Sequence, residues 1–240
     1  DDIDFNITNV IRGDDHTSNT AVQIELINAM DTNKIVFAHH ALLTASSGDK
    51  LSKRDNVISI ESFREKNIDP LAILSLLATI GTSNSIELKS SISQIIEEFR
   101  IKTISTSPGK IEIDLLNALN KKIVQKYQFD EIRDRLAKVD KRIDEKFWNT
   151  VKGNLETVED IQNWTDIVFN SELIEPKDKE FIKITLDAMP ADPWSDETWD
   201  EWTGKVKELT GRKGKELFLP LREAFTGLSH GPEMKKLIQL

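Results

Sequence analysis

The sequence predicts a mostly α protein: a partial α/β segment over residues 1–56, followed by an all-helical region. Three observations predict it. Short β-branched runs flank a helix-period stretch before residue 56, as in a βαβ unit. Beyond that point apolar residues recur at spacings of three and four, with charged residues between them. Proline and glycine fall between these periodic stretches and punctuate them.

The elements follow in order. Ile7-Thr8-Asn9-Val10-Ile11 is short and β-branched, as a buried strand should be, and Gly13 breaks it. Thr17-Ser18-Asn19-Thr20 supplies N-cap residues, and Thr20 with Gln23 matches a capping box. Val22, Leu26 and Ala29 then predict a helix over 21–30 with a buried stripe. Lys34-Ile35-Val36-Phe37-Ala38 reads as a second strand. Ligands of βαβ units collect at the carboxyl ends of strands, where the spacing puts Arg12 to His16.

After Arg54 no further strand is expected. Asp69-Pro70 is an N-cap with proline at N1, opening a helix over 71–80 that is apolar on every face and so expected to be buried; Gly81 ends it. Ile92, Ile95, Ile96 and Phe99 mark an amphipathic helix, and 105–109 a break. Helices are expected over 114–127, 130–139 and 143–151, around Val158 to Val168, from Pro176 to about Ala188, and over 196–209, 214–225 and 232–240, with a connection at 190–193.

Composition excludes several classes. No run of about 18 apolar residues is present to span a membrane, and no charged start precedes a short apolar segment. There is no cysteine, hence no disulfide and no thiolate metal site, and the four histidines form no metal-ligand pattern, so no bound zinc is expected. A cytoplasmic setting fits this composition. The chain opens Asp1-Asp2-Ile3-Asp4-Phe5 and is at once in a strand-like run, the expectation being a start inside a domain. Net charge is −9, against a globally basic nucleic-acid binder. The distribution is uneven: residues 187–201 carry six acids and no base, whereas 203–240 carry eight bases and four acids. A local polyanion site or two solvated helix faces would both produce this pattern.

The chemistry-bearing residues fall in three places. Lys50-Leu51-Ser52-Lys53-Arg54 brings two ammonium groups and a hydroxyl together, which suits a triphosphate whose charge grows during reaction; many solvated loops also read Lys-x-x-Lys. Arg12 offers a bidentate fork to a carboxylate, or a salt bridge to Asp14 or Asp15. Gly13 allows close backbone approach or a plain turn. Asp15 is a helix-start acid by position. His16 suits stacking or capping equally, and one of His39 and His40 faces inward as core or pocket lining. Arg212, Lys213, Lys215 and Arg222 cluster around Phe218, a pattern that suits single-stranded RNA, although Phe218 among Leu217, Leu219 and Leu221 reads as core. Of the five tryptophans, Trp199 and Trp202 lie three apart on one helix, where packing explains them better than base stacking.

Three segments carry a resemblance. Val10-Ile11-Arg12-Gly13-Asp14-Asp15-His16-Thr17-Ser18-Asn19-Thr20 is similar to V-I-R-G-E-D-H-x-S-N-T, Lys50 to Arg54 to K-[LM]-S-K-[SR], and Gly214 to Glu233 to G-K-x-L-F-x-P-L-R-x-A-x-T-G-x-x-H-G-P-E. In order and spacing the chain resembles the carboxyl-terminal portion of the bacterial glutamyl-tRNA synthetases, class I aminoacyl-tRNA synthetases. Asp14 stands where that family has glutamate, and no H-x-G-H element occurs, so the amino-terminal half of the nucleotide-binding fold is expected to be missing and the chain inactive alone.

The resemblance implies a Rossmann-like catalytic segment at 1–56, a helical stem-contact region at 57–105 and a helical anticodon-binding region at 106–240, with a subdomain break near 190–195. It implies glutamate–tRNA ligation through a glutamyl adenylate, with ATP, Mg²⁺ accompanying the ATP, L-glutamate and a glutamate (or glutamine-acceptor) tRNA as partners of a monomer. Lys53 and then Lys50 are the implied catalytic residues. Ser52, Asp15 and His16 join Lys53 in binding ATP, and Arg12 binds glutamate. Arg212, Lys213, Lys215 and Arg222 bind tRNA. Two other readings remain: a non-catalytic helical RNA-binding module, and a relative that glutamylates a modified tRNA base, disfavoured because such relatives lack an anticodon-binding region.

Overall fold

The computed structural model describes residues 1–30, 34–45, 48, 58–105, 107–170 and 174–240. Its strand β1, Asn9–Gly13, pairs in parallel with β2, Val36–His40, from Asn9 opposite Val36 to Gly13 opposite His40. Between them a 3-10 turn at Asp14–His16 runs directly into helix α1, Thr17–Ala29. The βαβ unit is therefore present, with two shifts. β1 ends two residues later than expected, so Arg12 and Gly13 belong to the strand. α1 begins four residues early, so Thr20 sits inside it and no Thr20/Gln23 capping box forms; His16 occupies the N-cap without a side-chain bond.

The expected buried stripe of α1 is overturned as well. Val22 is 62% exposed and Leu26 59%, while Thr20 is buried. The inward face carries Thr20 and Gln23, whose polar groups meet Arg12 and His39 of the sheet. A hydrophobic-period reading cannot find a helix whose buried face is polar.

A second small sheet was not expected. β3, Leu43–Ala45, pairs in parallel with β4, Gly109–Ile111, well past Arg54. Three residues give no legible alternation, and the partner lies far along the chain. Between these strands lie α2 (Ile60–Glu65), α3 (Pro70–Thr79), α4 (Ile92–Glu98) and a 3-10 turn at Ile101–Thr103. α2 was not anticipated; a reciprocal box nucleates it, the Ser59 and Ser62 hydroxyls each accepting the other's backbone N–H at 3.0 and 3.1 Å. In α3 the expected cap holds: the Asp69 carboxylate accepts from Leu71 N at 2.9 Å, and Gly81 follows at φ +73°. Full burial of α3 does not hold. Ala72, Ser75, Leu76 and Thr79 face inward, and Leu74 and Leu77 face out. α4 is helical as expected, but Ile92, Ile96 and Phe99 are exposed.

The chain divides into two compact units, 1–123 and 124–240. The division falls within α5, Ile113–Lys126. The second unit contains α6 (Phe129–Val139), α7 (Glu145–Val151), α8 (Ile161–Phe169), α9 (Lys179–Asp187), α10 (Asp196–Thr210), α11 (Lys215–Thr226) and α12 (Met234–Leu237). A 3-10 turn at Lys152–Asn154 follows α7. The expected helices are all there, with ends displaced where caps decide: α9 starts after Asp178, three residues past Pro176, because that carboxylate accepts from Phe181 N. Trp148, Trp164, Trp199 and Trp202 are buried in one continuous core with Phe147, Phe181, Leu217 and Leu221. The indole N–H groups of Trp148 and Trp202 are satisfied by the Tyr127 and Thr185 carbonyls at 3.1 and 3.0 Å. Packing rather than base stacking accounts for these rings. No helix among the described residues is long and apolar enough to cross a membrane.

Candidate active site at the end of β1

Arg12 is the best-defined functional candidate. It leaves β1 one residue before the strand ends and turns toward α1. One of its terminal nitrogens, Nη2, donates to the Thr20 hydroxyl and to Gln23 Oε1, the latter at 2.7 Å. Its guanidinium carbon stands 5.6 Å from the centre of the Phe37 ring. The salt bridge to Asp14 or Asp15 that the sequence allowed is not made. Among the described residues Arg12 Nε, which is buried, has no hydrogen-bond partner.

Gly13 is required for close approach rather than for backbone freedom. A Cβ there would stand 2.5 Å from Asp15 Oδ1 and 3.0 Å from Leu42 Cδ2, while its φ of −62° suits any residue. The missing side chain lets the Asp15 carboxylate fold back over the strand end. Asp15 and His16 are both about half exposed, with His16 Nε2 3.8 Å from Asp15 Oδ2. His16 makes no side-chain cap, and its Nδ1 lies 3.4 Å from the Asn19 amide. His39 is the inward histidine of the pair: its Nε2 lies 2.8 Å from the Thr20 hydroxyl, while His40 is exposed. The sequence marks neither Thr20 nor Gln23 as a site residue, and gives His39 only as one of two candidates for core or pocket lining. The available signal was polar residues at i and i+3 on the helix face that meets the sheet. Lys50, Ser52 and Lys53 lie outside the described residues.

In the second unit the four basic residues separate into different environments. Arg212 pairs with Asp178 at 2.7 Å and lies over the Phe181 ring at 4.3 Å, tying α9 to the end of α10. The backbone N–H of Phe181, and next the Arg212 guanidinium, hold the Asp178 carboxyl below its usual range. Lys213 and Lys215 are exposed. Arg222 is half-buried, its Nη1 has no hydrogen-bond partner among the described residues, and desolvation pushes its pKa below the ordinary guanidinium value. It packs against Gly231, where φ is +149° and any Cβ would overlap the Trp164 ring. Phe218 corrects the core expectation: it is 43% exposed, stacked at 6.5 Å on buried Trp199. It falls at i+4 before Arg222, on the outer face of α11, whereas Leu217 and Leu221 point inward.

A parallel βαβ unit whose first strand ends in Arg-Gly and turns through Asp-Asp-His into its helix, in a chain with a second, tryptophan-rich helical unit, defines a class. Residues 1–125 match the family model "tRNA synthetases class I (E and Q), catalytic domain" and 118–240 match "Anticodon binding domain". The chain belongs to the class I tRNA synthetases of the E and Q group. Among curated proteins it is similar to glutamate–tRNA ligase 1 of Brucella ovis and glutamate–tRNA ligase 2 of Brucella melitensis, 40% identical to each over its full length. It spans 54% of the length of those relatives. The fold matches crystal structures of a glutamate tRNA ligase from Elizabethkingia meningosepticum (TM-score 0.81, 21% identity) and a glutamate-tRNA synthetase from Elizabethkingia anophelis (0.79, 22%). Each match covers 99% of this chain and 55% of the other.

Proposed function

We propose that this chain is part of a glutamate–tRNA ligase. In that reaction a carboxylate oxygen of glutamate attacks the α-phosphorus of ATP, the bond to the β-phosphate breaks and pyrophosphate leaves. A ribose hydroxyl of the tRNA then attacks the activated carbonyl and AMP leaves. The observation that carries the reading is Arg12: a guanidinium fixed by side chains at the ligand-binding end of a βαβ unit and, among the described residues, paired with no carboxylate, in a chain 40% identical to glutamate–tRNA ligases.

In this reading Arg12 binds the glutamate carboxylate, and Asp15 and His16 meet the nucleoside of ATP. Lys53, with Lys50 and Ser52, meets the phosphates, where positioned cations lower the barrier as charge develops. Mg²⁺ enters the proposal as part of the ATP substrate. Residues 1–56 serve the nucleotide side, 57–105 the acceptor stem and 106–240 the anticodon, with a subdomain break near 190–195. Lys213, Lys215 and Arg222 are the proposed tRNA contacts. Arg212 contributes there through its Asp178 pair, which orders the turn before α11. The enzyme is proposed to act as a cytoplasmic monomer, and the 240 residues alone to be inactive, because no H-x-G-H element occurs in them.

The test is charging of tRNA with labelled glutamate by the complete reading frame that contains this chain. Lys53→Ala is expected to lower kcat about 10²–10³-fold, the scale of losing one positioned charge donor, with Lys50→Ala smaller. Charging by the 240 residues alone would overturn the inactivity proposal. Tight, salt-sensitive tRNA binding by the complete protein without any charging would favour a non-catalytic RNA-binding module instead.

A further inference from the structure

We infer that Thr20, Gln23 and His39 form a clamp without a carboxylate that aims Arg12 without neutralising it, leaving its positive charge open for the carboxylate of an amino-acid substrate. The inference rests on the reading of Arg12 as a carboxylate-binding residue.

Three elements contribute. Arg12 lies on β1, Thr20 and Gln23 are three apart on α1, and His39 is the register partner of Arg12 on β2. The buried Thr20 hydroxyl is the hub. It accepts from Arg12 Nη2, donates to the His16 carbonyl at 3.1 Å, and stands 2.8 Å from His39 Nε2. A hydroxyl has one hydrogen and two lone pairs. With its hydrogen on the His16 carbonyl, one lone pair receives Arg12 and the other receives an N–H from His39 Nε2. Every bonding position of the hydroxyl is then used, which fixes its direction and that of the guanidinium.

The acceptors are all neutral. Gln23 Oε1 takes a second bond from the same nitrogen at 2.7 Å, and among the described residues Arg12 makes no ion pair. A partly buried guanidinium usually sits against a carboxylate, because an uncompensated charge away from water is costly. Here glutamine stands where glutamate, differing by one group on the same skeleton, would supply that carboxylate. The clamp thus orients a cation and leaves its charge unspent.

Gln23→Glu, Thr20→Val and Thr20→Ser test this. In the complete protein, Gln23→Glu is expected to raise the glutamate KM at least tenfold while the ATP KM stays within twofold. Thr20→Val is expected to raise the glutamate KM several-fold, with Thr20→Ser restoring it. A Gln23→Glu protein that charges glutamate with an unchanged glutamate KM overturns the inference. If the unsubstituted protein neither binds nor charges glutamate, the substrate reading fails and the inference falls with it.

Discussion

Gly13 and Asp15 show how a single absent side chain shapes the site. The Asp15 carboxylate occupies the space a Gly13 Cβ would need, so Gly13→Ala must displace Asp15 and crowd Leu42 without straining the backbone. If Asp15 meets the nucleotide, Gly13→Ala should raise the ATP KM about tenfold or more, roughly the loss of one hydrogen bond to a charged group, while Tm moves by no more than a few degrees. An unchanged ATP KM would remove Asp15 from the proposed site. At this scale the sequence was informative about identity and less so about surroundings. Arg12, Gly13, Asp15 and His16 were legible because unusual residue types follow one another at the end of a strand. Thr20 and Gln23 were not, and His39 only as one of two candidates, since each is ordinary until the sheet and helix bring them onto one guanidinium. Phe218 was misread for the converse reason: its apolar neighbours at i−1 and i+3 take the inward positions, leaving it on the outer face.

Among the elements, periodicity served best where water and core lie on opposite sides. α10 is such a case. The Ser195 hydroxyl caps it by accepting from Thr198 N at 3.2 Å, its exposed face is charged, and Trp199, Trp202 and Val206 face inward. Trp202 is held by edge contacts to Trp194, Trp199 and Phe225 and by its bond to the Thr185 carbonyl. Trp202→Ala should therefore cost about 3–5 kcal/mol by chemical denaturation. Trp202→Phe, which keeps most of the volume but orphans that carbonyl, should cost less. Equal losses would mean that the buried hydrogen bond, rather than packing, fixes the ring. α1 and α3 gave way to the opposite situation. The inward face of α1 carries Thr20 and Gln23 where an apolar stripe was expected, and α3, expected to be buried on every face, turns Leu74 and Leu77 outward. β4 escaped notice because a three-residue strand is recognisable only beside its partner.

Across the whole molecule, burial is unevenly distributed. No hydrophobic side chain among the described residues before Phe63 is fully buried, whereas the second unit contains a continuous core built on four tryptophans. Hydrogen exchange should follow this: amides of β1, α1 and β2 should exchange well before those of α7, α8 and α10, since protection tracks local apolar burial. Comparable protection in both segments would contradict it. The same unevenness explains why the broad architecture was legible while the packing of the first unit was not. Helix signals in 124–240 are reinforced by a core of their own, but α1 turns Val22 and Leu26 outward. Which amino acid the complete protein attaches to tRNA tests the proposed function most directly. With ATP and labelled glutamate or glutamine offered in parallel, glutamyl-tRNA is the expected product, and it is expected to be lost in Arg12→Met. Preference for glutamine, or glutamate charging that survives Arg12→Met unchanged, would contradict that function.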